Sequence, residues 1–235
     1  MCGRYALTSD AELIAEVFEA DTEDLSGSLE PRYNIAPTQT APVVVGARGG
    51  RRAGFLRWGL VPHWAGDPGE GARMINARSE TVAEKPAFRD SFHSRRCLVP
   101  ADGFYEWDAR PGGKQPFWIY PEDRPLLALA GIWARWTRPD GGKLHTYAIL
   151  TRGAPPELAW LHDRVPLVLA PETWEDWLAR GTDPEVLRTI IDRAPHPRLA
   201  SYAVSPKVNH AGYDEADCLD EVDDDPSPDP QTSLF

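Results

Sequence analysis

Cysteine is scarce in this chain: 235 residues hold three, at positions 2, 97 and 218. An odd number with no CxxC spacing argues against a disulfide framework and against a structural zinc site. Long apolar runs are missing as well. No stretch of about 18 apolar residues is present to span a bilayer, and no signal-peptide-like segment opens the chain. The expectation is a soluble cytoplasmic protein with no membrane contact. Basic residues are also outnumbered, 25 against 36 acids, which leaves a net charge of −11. That shortfall is local. Residues 211–235 carry nine acids and no Lys or Arg, so residues 1–210 carry only −2. Within that body, residues 48–96 hold ten Lys and Arg against five acids, a basic segment compatible with phosphate contacts. Charge alone decides nothing, because a solvated basic face has the same composition.

What the chain does have is core material. Hydrophobic residues make up 42% of it, with nine Trp, enough for one substantial domain. Ser9 followed by Glu12 reads as a capping box, and Leu13, Ile14, Val17 and Phe18 share one face, so a helix is predicted at about 9–20. Strands are predicted through Ala41–Val45, Gly54–Trp58, Arg96–Val99, Phe104–Trp107, Phe117–Tyr120, Leu126–Ile132 and Thr146–Leu150, separated by Pro/Gly turns. Segments near 171–180 and 183–192 read as helices. Many short strands with peripheral helices predict a single α+β domain with a mostly antiparallel, barrel-like β core. Its span is read as 2–210. Residues 211–230, acidic and poor in apolar side chains, are read as a disordered linker. Cys97, inside the run Cys97-Leu98-Val99-Pro100, is expected to be a buried small hydrophobe.

Cys2 differs from the other cysteines by its place. The chain begins Met1-Cys2-Gly3-Arg4-Tyr5, and cysteine is small enough for a methionine in front of it to be removed. Cys2 would then carry a free α-amine beside its thiol. The amine, with a reference pKa of about 7.7–8.0, is partly neutral at neutral pH. The thiol, near about 8.5, can be lowered by a positive neighbour, for which Arg4 is the candidate. Such a 1,2-aminothiol condenses with an aldehyde to a Schiff base, and the thiol then closes a thiazolidine ring. Ring-opened abasic deoxyribose carries such an aldehyde.

Further motifs follow in order: Tyr33-Asn34-Ile35-Ala36-Pro37-Thr38-Gln39, Arg57-Trp58-Gly59-Leu60-Val61-Pro62, Ile75-Asn76-Ala77-Arg78-Ser79-Glu80-Thr81, the run Arg96–Trp107, and Val204-Ser205-Pro206-Lys207-Val208-Asn209. With Cys2-Gly3-Arg4-Tyr5 at their head, they resemble the SRAP family, the SOS-response-associated peptidases that process abasic sites, over roughly residues 2–210. The resemblance implies that Cys2 is exposed by self-removal of Met1 and then crosslinks to the abasic sugar. Asn76 matches an asparagine beside the sugar and the terminal amine, and Glu106 an acid that assists proton transfer. His162, in Leu161-His162-Asp163-Arg164-Val165-Pro166, matches a histidine near the sugar and its phosphate; Val165 stands where the family usually has Met. Thr151 and Arg164 match positions lining the site. The residues themselves agree. Glu106 lies among Phe104, Tyr105 and Trp107, a setting that raises a carboxyl pKa, and a histidine can bind phosphate or move a proton near pH 7. For single-stranded DNA, Arg4, Arg57, Arg78 and Arg164 are candidate phosphate partners, and Trp58 and Trp64 candidate stacking platforms. Pro37 and Thr38 resemble the family's wedge beside the lesion, which disfavours continuous duplex. No metal and no cofactor is required.

The last five residues, Gln231-Thr232-Ser233-Leu234-Phe235, look like the peptide with which bacterial proteins dock on the sliding clamp, with Gln231, Leu234 and Phe235 as anchors. On this reading a monomer is recruited to replication forks at the bacterial nucleoid. Three rival readings stand beside the main one. One is a glutamine amidotransferase with an N-terminal cysteine, although its Asn-Gly-Asp or Asn-Gly-Glu element is absent. Another is a clamp-tethered DNA-binding adaptor in which Cys2 is incidental, and the third is a general protease.

Overall fold

The computed structural model of the chain describes residues 2–111 and 113–224. In chain order the strands are β1 (Arg4–Leu7), β2 (Ala20–Asp21), β3 (Arg32–Ile35), β4 (Thr40–Ala47), β5 (Gly50–Trp58), β6 (Asn76–Arg78) and β7 (Arg96–Ala101). They continue with β8 (Gly103–Arg110), β9 (Gly113–Pro121), β10 (Leu127–Thr137), β11 (Lys143–Gly153), β12 (Arg164–Pro166) and β13 (Leu199–Ala203). Among the described residues four α-helices sit outside them: α1 (Ala11–Phe18), α2 (Arg89–Ser94), α3 (Trp174–Leu178) and α4 (Pro184–Arg193). This is the predicted α+β class.

Five strands close into a ring. β11, β10, β7, β4 and β5 are neighbours in that order, and β5 returns to β11 through the parallel pairs Thr146↔Arg57 and Tyr147↔Trp58. Closure leaves the core without an open edge there. Gly59 then takes the chain out of the ring at φ 112°, where a Cβ would stand 2.5 Å from the Gly71 carbonyl oxygen. A second sheet, ordered β13-β9-β8-β1-β3, packs beside the ring. Every residue of β7 is buried, which is why its sequence past Arg96 runs apolar without alternation. Cys97 is fully buried, as expected.

The two sheets are tied by aromatic side chains. Tyr5 of β1 and Tyr147 of β11 share a buried hydrogen bond of 2.6 Å between their hydroxyls. Trp58 meets Tyr5 edge-on, with centroids 5.2 Å apart, and lies nearly parallel to Tyr147 at 6.4 Å. Arg96 is buried with carbonyl partners: it donates to Trp177 O at 2.6 Å, Phe92 O at 2.5 Å and Ala179 O. Burial pushes its pKa down, to about 10. Its donors satisfy the carbonyl-rich C-terminal ends of α2 and α3.

Three expectations need correction. Helix α1 is capped by Asp10, whose side chain accepts from Leu13 N at 2.9 Å; Ser9 instead donates to Asp102, which also takes the hydroxyl of Thr8. The helix predicted at 171–180 is a 3₁₀ turn, Pro171–Thr173, followed by the five residues of α3. The domain does not end at 210. Asp214 accepts from the backbone N–H groups of Tyr33 at 2.6 Å and Asn34 at 2.7 Å and pairs with Arg32. Ala216–Leu219 forms a 3₁₀ turn that buries Cys218, and Glu221 bridges to Val204. Acidic composition misled here because Asp214 is used to satisfy backbone donors. The rest of the linker, and the terminal peptide with Gln231, Leu234 and Phe235, lie outside the described residues. No described helix is long and apolar enough to cross a membrane.

Asp214→Ala should lower stability by about 1–3 kcal/mol, the cost of leaving two part-buried amides and an arginine unsatisfied. Urea unfolding of the purified chain would measure it. Unchanged stability would return residues 211–224 to the linker.

Candidate functional site

The pairing of β1 with β8, Arg4 opposite Tyr105 and Tyr5 opposite Phe104, runs the residues before Arg4 alongside Glu106. Cys2 is fully buried there. Asn76 reaches it from β6, donating from Nδ2 to the Cys2 carbonyl oxygen at 2.7 Å. The position of Asn76 is itself built. Its strand pairs in parallel with β11 at Ile149↔Asn76, and the indole N–H of Trp58 donates to Ile75 O at 2.9 Å. The Asn76 Oδ1 is buried with no hydrogen-bond partner among the described residues, an acceptor facing the same place.

Burial raises the Glu106 carboxyl above its ordinary value; the positive amino terminus and His162 pull it back. Burial also raises the Cys2 thiol, and the nearby Glu106 charge adds to the effect. This corrects the expectation for Arg4. The charge of Arg4 does not lower the thiol, because its guanidinium is turned to Asn34 Oδ1 at 2.9 Å, Val208 O at 2.6 Å and Asn209 O at 3.3 Å. It holds the segment around residues 208–209 against β1, which leaves it a poor phosphate ligand. Trp58 is corrected too: it is fully buried and cannot stack on a base.

His162 lies on the loop before β12. Its Nδ1 is 3.0 Å from the Arg164 backbone N–H and 2.7 Å from Asp163 Oδ1. It can serve only one of them at a time, accepting from Arg164 when neutral or donating to Asp163 when protonated. Arg164 is held by a two-pronged pair with Glu80, at 2.7 and 2.8 Å, and donates to the carbonyl of buried Thr151 at 2.6 Å. Arg164 keeps the Glu80 carboxyl below its ordinary value. Glu80 was missed at the sequence level, although it stands inside the Ile75–Thr81 motif four residues past Asn76. Arg78 is exposed, on the same face of β6 as Asn76, while Ala77 between them is buried.

The remaining candidates form a second group. Pro37 and Thr38 occupy a tight turn in which Thr38 takes φ 73°, an uncommon backbone for a β-branched residue. The turn is pinned by Thr38 N to Trp58 O at 2.9 Å and by Arg57 Nε to Thr38 O at 3.2 Å. Arg57 lines a groove of about 710 Å³ with Gly66, Asp67 and Pro68, on the loop that carries Trp64. Trp64 is 53% exposed and available for stacking. Among the described residues no cluster of three or more His, Cys, Asp or Glu is placed to hold a metal ion.

A closed five-stranded ring with a flanking sheet brings Cys2, Asn76 and Glu106 together, and comparison with known proteins gives the family to which such a fold belongs. The family model for SOS response associated peptidases (SRAP) matches residues 1–211, and the chain belongs to this family. The abasic site processing protein YoqW of Bacillus subtilis is 39% identical over 211 residues, 89% of this chain and 94% of that protein. The abasic site processing protein HMCES of Xenopus tropicalis is 31% identical over 227 residues, 83% of this chain and 67% of that protein. A solved structure of a Bordetella bronchiseptica protein matches with a TM-score of 0.72 at 28% identity, over 87% of this chain and all of that one.

The raised Glu106 carboxyl has a measurable consequence. It stabilises the fold while protonated and loses that contribution as pH climbs from the ordinary value of 4.5 through the raised one. Glu106→Gln should therefore be the more stable protein at pH 8, with the difference closing towards pH 4. Denaturation series at both pH values would show it; a constant difference would contradict the assignment.

Proposed function

We propose that this protein captures abasic sites in single-stranded DNA through a covalent thiazolidine bond to Cys2, formed after self-catalysed hydrolysis of the Met1–Cys2 peptide bond. The observation that carries the reading is the Asn76 hydrogen bond to the Cys2 carbonyl, which fixes Cys2 beside the buried Glu106. The names of the two relatives, both abasic site processing proteins, support the substrate.

Once Met1 is gone, the freed α-amine attacks the aldehyde carbon of the ring-opened sugar. Glu106, held above the ordinary carboxylate range, protonates the departing hydroxyl, and water leaves as the C=N bond forms. The thiol then adds across that bond: sulfur bonds to carbon and the thiol proton ends on nitrogen. Because burial keeps the thiol protonated, amine attack comes first and ring closure second. His162 donates from Nε2 to the sugar or its phosphate while Nδ1 is held by its own loop. Arg78 and Arg164, with the turn at Pro37 and Thr38, guide the strand. Reversal runs through the same Schiff base, which is also the entry to lyase chemistry. The protein acts as a monomer, shielding the lesion during replication.

Mixing the protein with an oligonucleotide bearing one abasic site should give a denaturation-resistant band, and mass spectrometry should find Met1 absent. Cys2→Ala should give no band, and Glu106→Gln should slow its formation by about 100-fold or more. A methionine-free protein that forms no band would refute the proposal. Residues 231–235 are proposed to dock on the sliding clamp. Clamp binding should be lost when they are removed, and equal binding with and without them would end that part of the reading.

A further inference from the structure

We propose that Trp160 is a stacking platform for a nucleobase next to the abasic sugar; this rests on the reading of Cys2 as the capture group. Trp160 is 54% exposed, among the few large apolar side chains so placed in the described residues. Its turn is rigid. Leu158 N bonds to Pro155 O, and Leu161 N and His162 N both bond to Leu158 O. Leu158 and Leu161 are buried, each 7% exposed, so the turn is anchored from below while Trp160 faces outwards.

The indole packs on a ring that neighbours the site. Its ring meets Phe117 at a centroid distance of 5.1 Å and an interplanar angle of 88°. Phe117 is directly opposite Glu106 in the β8–β9 pair, so the two side chains leave the sheet on the same face. Trp160 also stands two residues before His162. It is therefore joined through one buried ring to the acid beside Cys2, and through two peptide units to the histidine. The nearby Arg110 guanidinium, 5.6 Å from the Phe117 centroid, is neutralised by Asp108 and Asp224. That leaves the face aromatic rather than cationic.

The chemistry of the lesion supplies the occupant. A sugar without its base leaves a gap in the strand, and the neighbouring base has one face unstacked. A fixed indole beside the capture group can cover that face whatever the base is, since every base offers a π-surface. Stacking of this kind gives affinity without sequence preference.

The test uses the full chain and an oligonucleotide carrying the tetrahydrofuran analogue of the abasic sugar, which has no aldehyde and cannot crosslink. Trp160→Ala should weaken equilibrium binding about tenfold, and Trp160→Tyr should keep most of the affinity. Removing the base from the 5′ or the 3′ neighbour should abolish the difference between wild type and Trp160→Ala in one of the two cases. A purely structural role would not depend on the neighbouring base. Equal affinity of wild type and Trp160→Ala, or a difference that survives removal of both neighbouring bases, would overturn the proposal. Crosslinking of the true aldehyde-bearing oligonucleotide by wild type is scored separately. Its failure would sink the reading of Cys2, while a base-dependent effect of Trp160→Ala would still stand.

Discussion

The site depends on the buried contact between Tyr5 and Tyr147, braced by Trp58. The first residues of a chain fray unless they are tied down, and the nucleophile proposed at Cys2 must be placed to a fraction of an ångström to be of use. Tyr5 is three residues from Cys2. Its hydroxyl is bound to β11 at the point where the ring closes, and its ring packs on the tryptophan of the same seam. A buried hydrogen bond worth about 1 kcal/mol and aromatic pairs worth about 0.5–1.5 kcal/mol each are modest terms. They matter because they register the second sheet against the ring. Trp58 then bonds Ile75 O, so one cluster positions both the strand leading to Cys2 and the strand carrying Asn76.

Burial is the second constraint, and it acts on the Glu106 carboxyl and the Cys2 thiol together. The same lack of solvent that raises the Glu106 carboxyl raises the Cys2 thiol. A protonated carboxyl is what loss of water from a carbinolamine requires, whereas a protonated thiol is a poor nucleophile. On the proposed chemistry, such a site favours the amine for the first attack and leaves the thiol for ring closure, where its proton is consumed. Arg164 is balanced in charge as well: Glu80 neutralises it, so it is not left as an unpaired, mostly enclosed cation.

Much of this was legible in the residues. Strand positions followed from apolar runs between Pro and Gly turns, and Cys2, Asn76, Glu106 and His162, singled out from place and motif, are brought into one neighbourhood by the fold. What escaped was whatever depended on a partner distant in sequence. Ser9 and Asp10 are equally good caps on paper, and the choice fell to Asp10 because Asp102, more than ninety residues away, binds Ser9. Arg4 and Trp58 looked like DNA ligands because both residue types serve that purpose on a surface. Their commitments, to the carbonyls of Val208 and Asn209 and to that of Ile75, are visible only once the sheets are assembled. The acids of 211–224 read as linker because composition cannot show that one carboxylate caps two amides.

That last correction explains why the fold continues past its second sheet. β1 lies inside that sheet, between β8 and β3, so its backbone is satisfied along both edges. Side chains at the end near Cys2 still need holding. Asn34 on β3 donates to Val208 O, His210 O and Tyr213 O and accepts from Arg4, while Asp214 grips β3 by its amides. Trp107, next to Glu106, donates to Asn209 Oδ1 at 2.5 Å. The segment 207–214 is thus a strap across β1, β3 and β8. Its carbonyls meet donors that would otherwise be buried unpaired, at about 1–3 kcal/mol apiece. Through Arg4 of β1 the strap helps to hold Cys2 in its buried place.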